Sequence, residues 1–94
     1  MTSEPSRIWV QIAGGADKDA LPREFARLKA QAPKLFSGTT AWTAPLRATN
    51  RLLVGPFNSE SEARSFVNQL TKAKLAGFSW TSPEGQLIEK LPSQ

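Results

Sequence analysis

The side chain most suggestive of binding chemistry is Arg51, at the start of the strand-like run at residues 51–57. Successive side chains of a strand point to opposite faces, so Arg51 and Leu53 share one face. Leu52 and Val54 share the other, and the amphipathic helix that follows predicts that this pair lies beneath helices. A guanidinium, which forms forked pairs with carboxylates, is thus expected on the face without helices.

A second strand-like run, at residues 8–13, is rich in β-branched and aromatic residues and ends at two glycines. Alternation puts Trp9, Gln11 and Ala13 on one face of this strand. Tryptophan offers a flat ring with an N–H, and glutamine offers both a donor and an acceptor. The ordinary alternatives are a core position for Trp9 and a plain solvent-facing position for Gln11.

Composition bounds what the chain could do. Its 94 residues suit one small domain, and the absence of cysteine and histidine leaves no thiolate nucleophile, imidazole base or thiolate metal site. We therefore expect no catalytic residue, metal or cofactor. A net charge of +4 fits an anionic partner only weakly. No apolar run approaches the roughly 20 residues of a membrane span, so no direct membrane insertion of this segment is expected.

The remaining elements follow from periodicity and from turn residues. A stripe of apolar residues predicts a helix within residues 17–32, ended by Pro33. Ser59 and Glu62 have capping-box spacing at the start of a second amphipathic helix. Residues 34–40 are predicted as a loop, residues 39–44 and 78–81 as further strands, and residues 46–50 as the turn before the strand of Arg51.

The element order is strand, helix, strand, strand, helix, strand. Two right-handed crossovers convert this order into an α+β fold of the ferredoxin-like or RNP-like βαββαβ type. We expect a four-stranded antiparallel sheet with the first and third strands central and both helices on one face. The other face would then be an open platform, which carries Trp9, Gln11, Ala13, Arg51 and Leu53.

Domain boundaries are placed at changes in composition. Residues 1–6 are expected to be a disordered lead-in or the end of a linker, and residues 7–82 form the domain. Residues 83–94 are expected to be a partly packed C-terminal extension. In that extension Leu87, Ile88 and Leu91 would form either a short extra strand or a loose apolar contact.

Two motifs carry a resemblance to a known family. The first strand, RIWVQIAGG, resembles an aromatic-x-Val-Gln-apolar strand, and NRLLVGPFNSESEAR is similar to an Arg-x-x-Val-Gly-Pro-Phe segment with an acidic helix start. Both are typical of SPOR domains, and the resemblance covers residues 7–81. The chain departs from that pattern at Ala13-Gly14-Gly15, where the family commonly has Gly, a small residue and Phe, and at Asn50, where an aromatic residue is common.

The resemblance implies a function. SPOR domains bind peptidoglycan glycan strands that have lost their stem peptides (denuded glycans), which accumulate at the bacterial division septum. The family places such a domain in the periplasm or cell envelope, as a module of a larger anchored or secreted protein. It implies a non-catalytic module, and for lack of any oligomerisation signal we expect a monomer.

The resemblance also implies site residues. Gln11 and Arg51 match the family's strand-one glutamine and strand-three arginine, which suit N-acetyl groups and lactyl carboxylates. Trp42 and Trp80 are included although the sequence does not fix which way they face. The candidate glycan-binding residues are Gln11, Arg51, Trp9, Leu53, Trp42 and Trp80.

Three alternatives remain at this point. RNA-recognition modules share the topology, but they stack bases on aromatic residues of both central strands, and residues 50–54 contain none. Nucleic acid is therefore not the expected partner. Small hydrolases can have this topology, yet Asp17, Asp19, Glu84 and Glu89 show no pairing suited to acid–base catalysis. A protein–protein interaction module is the third alternative.

Overall fold

The computed structural model describes residues 6–91 as an antiparallel sheet with helices on one face. The strands are β1 (Arg7–Gly15), β2 (Ala41–Leu46), β3 (Thr49–Phe57), β4 (Phe78–Ser82) and β5 (Glu89–Lys90). The helices are α1 (Leu21–Gln31), preceded by a 3-10 turn at Lys18–Ala20, then α2 (Pro33–Phe36) and α3 (Glu60–Lys72). The lead-in predicted for residues 1–6 lies almost wholly outside the described residues.

The predicted fold class is confirmed, with one addition to the sheet. The strand order is β4-β1-β3-β2-β5, so β1 and β3 pair in the interior as expected. The described residues contain five strands where the sequence predicted four, because Glu89 and Lys90 pair with Thr43 and Trp42 at the outer edge of β2. The C-terminal extension therefore does form an extra strand.

Strand β2 differs in position from the prediction. It runs two residues further than expected, through Pro45 to Leu46, and a two-residue turn at Arg47 and Ala48 joins it to β3. Proline is tolerated there because only β3 pairs with this part of β2. Arg47 has a φ of 52°, in the left-handed region that tight hairpin turns use.

The main core lies between the sheet and the helices, as alternation predicted. Val10, Leu52 and Val54 point into it from β1 and β3. The segment predicted as a loop begins instead with α2, which buries Phe36 completely. The Phe36 ring makes edge contacts with Phe25 of α1 at 5.8 Å and with Phe66 of α3 at 5.9 Å between centroids. Phe36 therefore packs between α1 and α3 within the core that lies against the sheet.

A β-bulge in β1 changes which face Ala13 occupies. Gln11 pairs with Leu53, but Ala13 pairs with Leu52, so β1 has one extra residue at Ile12. Beyond the bulge Ala13 packs against the helix-side core. The prediction that Ala13 lies on the opposite face beside Gln11 is therefore wrong, because simple alternation does not continue through a bulge.

The end of β3 has a backbone that suits glycine. Gly55 has a φ of 129° and precedes Pro56. A Cβ atom on Gly55 would lie 3.1 Å from Phe57 Cδ2 and 3.2 Å from the Phe57 backbone nitrogen. The Gly55 carbonyl also accepts a hydrogen bond of 2.9 Å from the Trp42 indole N–H. The Gly-Pro-Phe segment thus positions Trp42 on the sheet face that lies away from the helices.

We predict that Gly55→Ala lowers the free energy of unfolding by about 1–3 kcal/mol, since an L-residue is strained at this φ. Urea unfolding measures the change. Gly15→Ala is the matched control, because a Cβ atom there meets nothing within 4 Å. Its effect should stay within about 0.5 kcal/mol. Equal unfolding midpoints for the two variants would contradict the assignment of strain to Gly55.

The capping box at α3 is confirmed at its serine. Ser59 Oγ accepts a hydrogen bond of 3.1 Å from the Glu62 backbone N–H. We predict that Ser59→Ala costs about 1 kcal/mol of stability, because that N–H then lacks its cap. Thermal unfolding followed by circular dichroism measures the loss. Ser61→Ala, inside the same helix turn and exposed, should be neutral or slightly stabilising, and a comparable loss there would show that capping is not the cause.

Candidate functional site

The sheet face opposite the helices, here called the far face, carries an apolar cluster of its own. This tryptophan cluster consists of buried Trp9, Ala44 and Leu53 with Trp42, Trp80 and Ile88 packed against them. Trp9 and Leu53 expose only 1% and 0% of their surface. The expectation of an open platform at these two residues is wrong, because residues 83–91 return over the far face and place Ile88 on it.

The polar atoms of two tryptophans are already used within the fold. The Trp9 indole N–H donates to Ser82 Oγ at 3.0 Å, and the Trp42 indole N–H donates to the Gly55 carbonyl. The two rings meet edge to face with centroids 5.7 Å apart. Trp9 therefore occupies the core position that was the alternative interpretation of its sequence context, and neither of its ring faces is available at the surface.

Gln11, Arg51 and Trp80, by contrast, form a partly exposed cluster, here called the Arg51 cluster. Arg51 Nη1 donates to Gln11 Oε1 at 2.5 Å, across 40 residues of sequence. The Arg51 guanidinium carbon lies 4.5 Å from the centroid of the Trp80 ring, in the range of cation–π attraction. The structure thus brings together three of the six predicted site residues, one each from β1, β3 and β4.

Arg51 can reach over β1 because its cross-strand partner there is Gly14. A Cβ atom on Gly14 would lie 3.1 Å from the Asn50 carbonyl oxygen and 3.5 Å from Gln11 Nε2. The missing side chain leaves room beside the Gln11 amide. The guanidinium can therefore lean across β1 toward Gln11 and Trp80.

The Arg51 cluster is suited to binding rather than to proton transfer. A guanidinium has five N–H donors and stays protonated in proteins, and one of the Arg51 groups is used on Gln11. The Gln11 Oε1 atom is occupied by that bond, which leaves the amide NH₂ as a donor. The cluster therefore presents mainly donors, together with a positive charge, to carboxylate, carbonyl or hydroxyl oxygens of a ligand.

Phe78 is an exposed aromatic residue next to the Arg51 cluster. It is not among the six predicted site residues. It pairs with Gln11 across β4 and β1, and 53% of its surface is exposed. Alternation along β4 puts Phe78 on the same face as Trp80. The two-residue spacing of Phe78 and Trp80 indicates that they share a face of β4. The sequence does not show which face this is; the packing of Trp80 on the tryptophan cluster identifies it as the far face.

Other surface features lie elsewhere. One groove, of about 760 Å³, is on the helix side between α1 and β2, with Phe25, Lys29, Thr40 and Leu91 in its lining. Within residues 6–91 no group of three or more His, Cys, Asp or Glu side chains could hold a metal ion. None of the described helices is both long enough and apolar enough to cross a membrane. The far face is therefore the site that holds the predicted residues.

Comparison with known proteins bears on the family and the fold. A family model described as the SPOR domain matches residues 4–79. Among solved structures, the fold is similar to the solution structure of the peptidoglycan-binding domain of the B. subtilis cell wall lytic enzyme CwlC. The TM-score is 0.56, with 17% sequence identity over 88% of this chain and 98% of that chain. Among curated proteins, no sequence match is found. Because the family model spans most of the chain, including Gln11 and Arg51, this protein belongs to the SPOR domain family.

Proposed function

We propose that this domain binds peptidoglycan glycan strands that lack stem peptides, as a non-catalytic module that brings a bacterial envelope protein to the division septum. The observation that carries the proposal is the Arg51 guanidinium, held by Gln11 and Trp80 on the uncovered part of the far face. Membership of the SPOR family supports it, as does the similar fold of the CwlC domain, which is described as peptidoglycan binding.

The charge of Arg51 supplies a reason for preferring denuded strands. Removing the stem peptide converts a neutral amide on the lactyl group into a free carboxylate. A carboxylate attracts the guanidinium by its opposite charge and can accept two parallel N–H···O bonds, whereas a neutral amide oxygen offers neither the charge nor the second oxygen. The arginine can therefore distinguish a strand after amidase action from one that still carries its peptides.

The other two members of the Arg51 cluster complete the recognition. The Gln11 amide NH₂ can donate to an N-acetyl carbonyl or a hydroxyl oxygen. Trp80 contributes apolar ring surface and keeps the guanidinium in place. An amide, a guanidinium and an indole supply no general acid or base at neutral pH, so the cluster is suited to holding a strand rather than cleaving it.

The proposal extends to location and context. A peptidoglycan ligand places the domain in the periplasm or cell envelope, as a monomeric module of a larger anchored or secreted protein. Nucleic acid is not the proposed partner, because Trp9 is buried and the described part of β3 offers no aromatic side chain near Arg51 for base stacking.

We predict that the domain sediments with purified peptidoglycan sacculi and that the bound fraction rises after amidase treatment, because more free carboxylates are then available. With one ion pair, raising the salt from 50 to 200 mM should weaken binding by less than about tenfold. Binding that is absent, or unchanged by amidase, would overturn the proposal. Competition by single-stranded RNA with a steep loss in salt would indicate a nucleic-acid partner instead.

A second prediction concerns Arg51 itself. Arg51→Ala should weaken binding to amidase-treated sacculi by about 10- to 100-fold, the loss expected for a charged hydrogen bond. Arg51→Lys keeps the charge but loses the forked geometry, so it should restore only part of the affinity. Gln11→Ala should also weaken binding, since it removes both a ligand donor and a support for Arg51.

Arg64→Ala is the matched control, because Arg64 is exposed on α3, on the helix side of the sheet. It makes the same change in net charge and should leave binding intact. All four variants should unfold within about 1 kcal/mol of the original protein, since cation–π contacts at exposed sites contribute about 0.5–1 kcal/mol. Equal losses of binding in Arg51→Ala and Arg64→Ala would contradict a specific role of Arg51. They would show that the affinity depends only on the net charge of the domain.

A further inference from the structure

The segment at residues 83–91, here called the C-terminal strap, lies beyond the part of the chain that the family model matches, residues 4–79. It leaves β4 at one edge of the sheet and reaches β5, which pairs with β2 at the other edge. Because Ile88 packs on the tryptophan cluster, this crossing runs over the far face. The strap is thus an element of this chain laid across the surface that carries the Arg51 cluster.

Both ends of the strap are fixed. Before it, Ser82 is 1% exposed and its Oγ accepts hydrogen bonds from the Trp9 indole and, at 3.2 Å, from the Arg7 backbone N–H. At its far end the Leu91 N–H donates to the Ala41 carbonyl at 2.9 Å, and the Leu91 side chain enters the helix-side core. Glu89 also forms an ion pair with Lys18. Because it is anchored at both ends, the strap is expected to stay in place on the far face rather than to open and close.

The strap covers only part of the far face. Its Ile88 packs on the cluster in which Trp9 and Leu53 are buried, so the Trp9 ring is unavailable to a ligand, whereas Trp42 stays partly exposed. Phe78, Gln11 and Arg51 also stay accessible, on β4, β1 and β3. Three neighbouring strands span about 10 Å, two interstrand spacings, which is the length of about two sugar rings.

We propose that the C-terminal strap limits the size of the ligand, by covering Trp9 and Leu53 and confining the glycan to the surface formed by Phe78, Gln11, Arg51 and the partly exposed Trp80. This inference rests on the proposed function. It gives Phe78 a role as the apolar surface for a sugar ring at the outer edge of the site. A half-exposed phenylalanine on an edge strand otherwise leaves apolar surface in water without benefit to folding.

The test is an NMR titration of the full 94-residue chain. Its indole N–H and backbone amide signals are monitored while denuded glycan fragments of two, four and six sugars are added. The Trp80 indole and the amides of Gln11, Arg51 and Phe78 should shift, while the buried Trp9 indole stays in place. Affinity should rise little beyond the two-sugar fragment. A shift at Trp9 as large as at Trp80, or affinity that keeps rising strongly with length, would overturn the inference but leave the proposed function intact.

A pair of variants tests the role of Phe78 separately. Phe78→Ala should weaken binding of the four-sugar fragment about tenfold without changing the unfolding midpoint. Leu87→Ala is the matched control, because Leu87 is 56% exposed, as Phe78 is 53% exposed, and lies outside the Arg51 cluster. Equal affinities for the two variants would overturn the role of Phe78. If neither fragments nor amidase-treated sacculi bind the unchanged protein, the proposed function itself fails, and this inference with it.

Discussion

The antiparallel pairing of β1 with β3 is the constraint on which the rest of the structure depends. It decides both faces of the sheet at once: Val10 opposite Val54 supplies the centre of the helix-side core, and Gln11 opposite Leu53 faces the other way. The same register places Gly14 opposite Arg51, which gives the guanidinium its path to Gln11. Two residues that are 40 positions apart in the chain thus meet because a backbone ladder fixes them, and the side-chain hydrogen bond follows from it.

Alternation in two apolar runs was sufficient to predict the sheet, its two central strands and the outward direction of Arg51 and Gln11. What it could not predict was the burial of Trp9 and Leu53 on the far face. The burial of Trp9 depends on Ile88, and β5 has only two residues, too few for any periodic signal. The face on which Trp80 lies, and the position of Phe78 beside Gln11, depend on the cross-strand register of β4 with β1. The sequence of a single strand does not encode that register. The displacement of Ala13 depended on a bulge, for which no residue type is diagnostic.

The surroundings of Arg51 also bear on affinity. A free arginine loses rotamer entropy when it closes on a ligand, at a cost of about 0.5–1.5 kcal/mol for each long side chain immobilised. Here the Gln11 carbonyl and the Trp80 ring already restrict the side chain before any ligand arrives. Part of that entropy is lost on folding, so in the proposed complex more of the interaction energy would be expressed in binding. A weakly charged surface can in this way obtain useful affinity from one well-placed cation.

The bond between Trp9 and Ser82 joins residues 73 positions apart, and the contact of Arg7 with the same hydroxyl spans 75. Contacts of such large sequence separation form late, because a long loop must close before they can contribute. On the ribosome, β1, β2 and β3 are all synthesised before the residues that cover Trp9. Until then three tryptophans and Leu53 remain in water, and such transiently exposed apolar surface favours aggregation. The nascent chain thus reaches its mature far face only when β5 has been made.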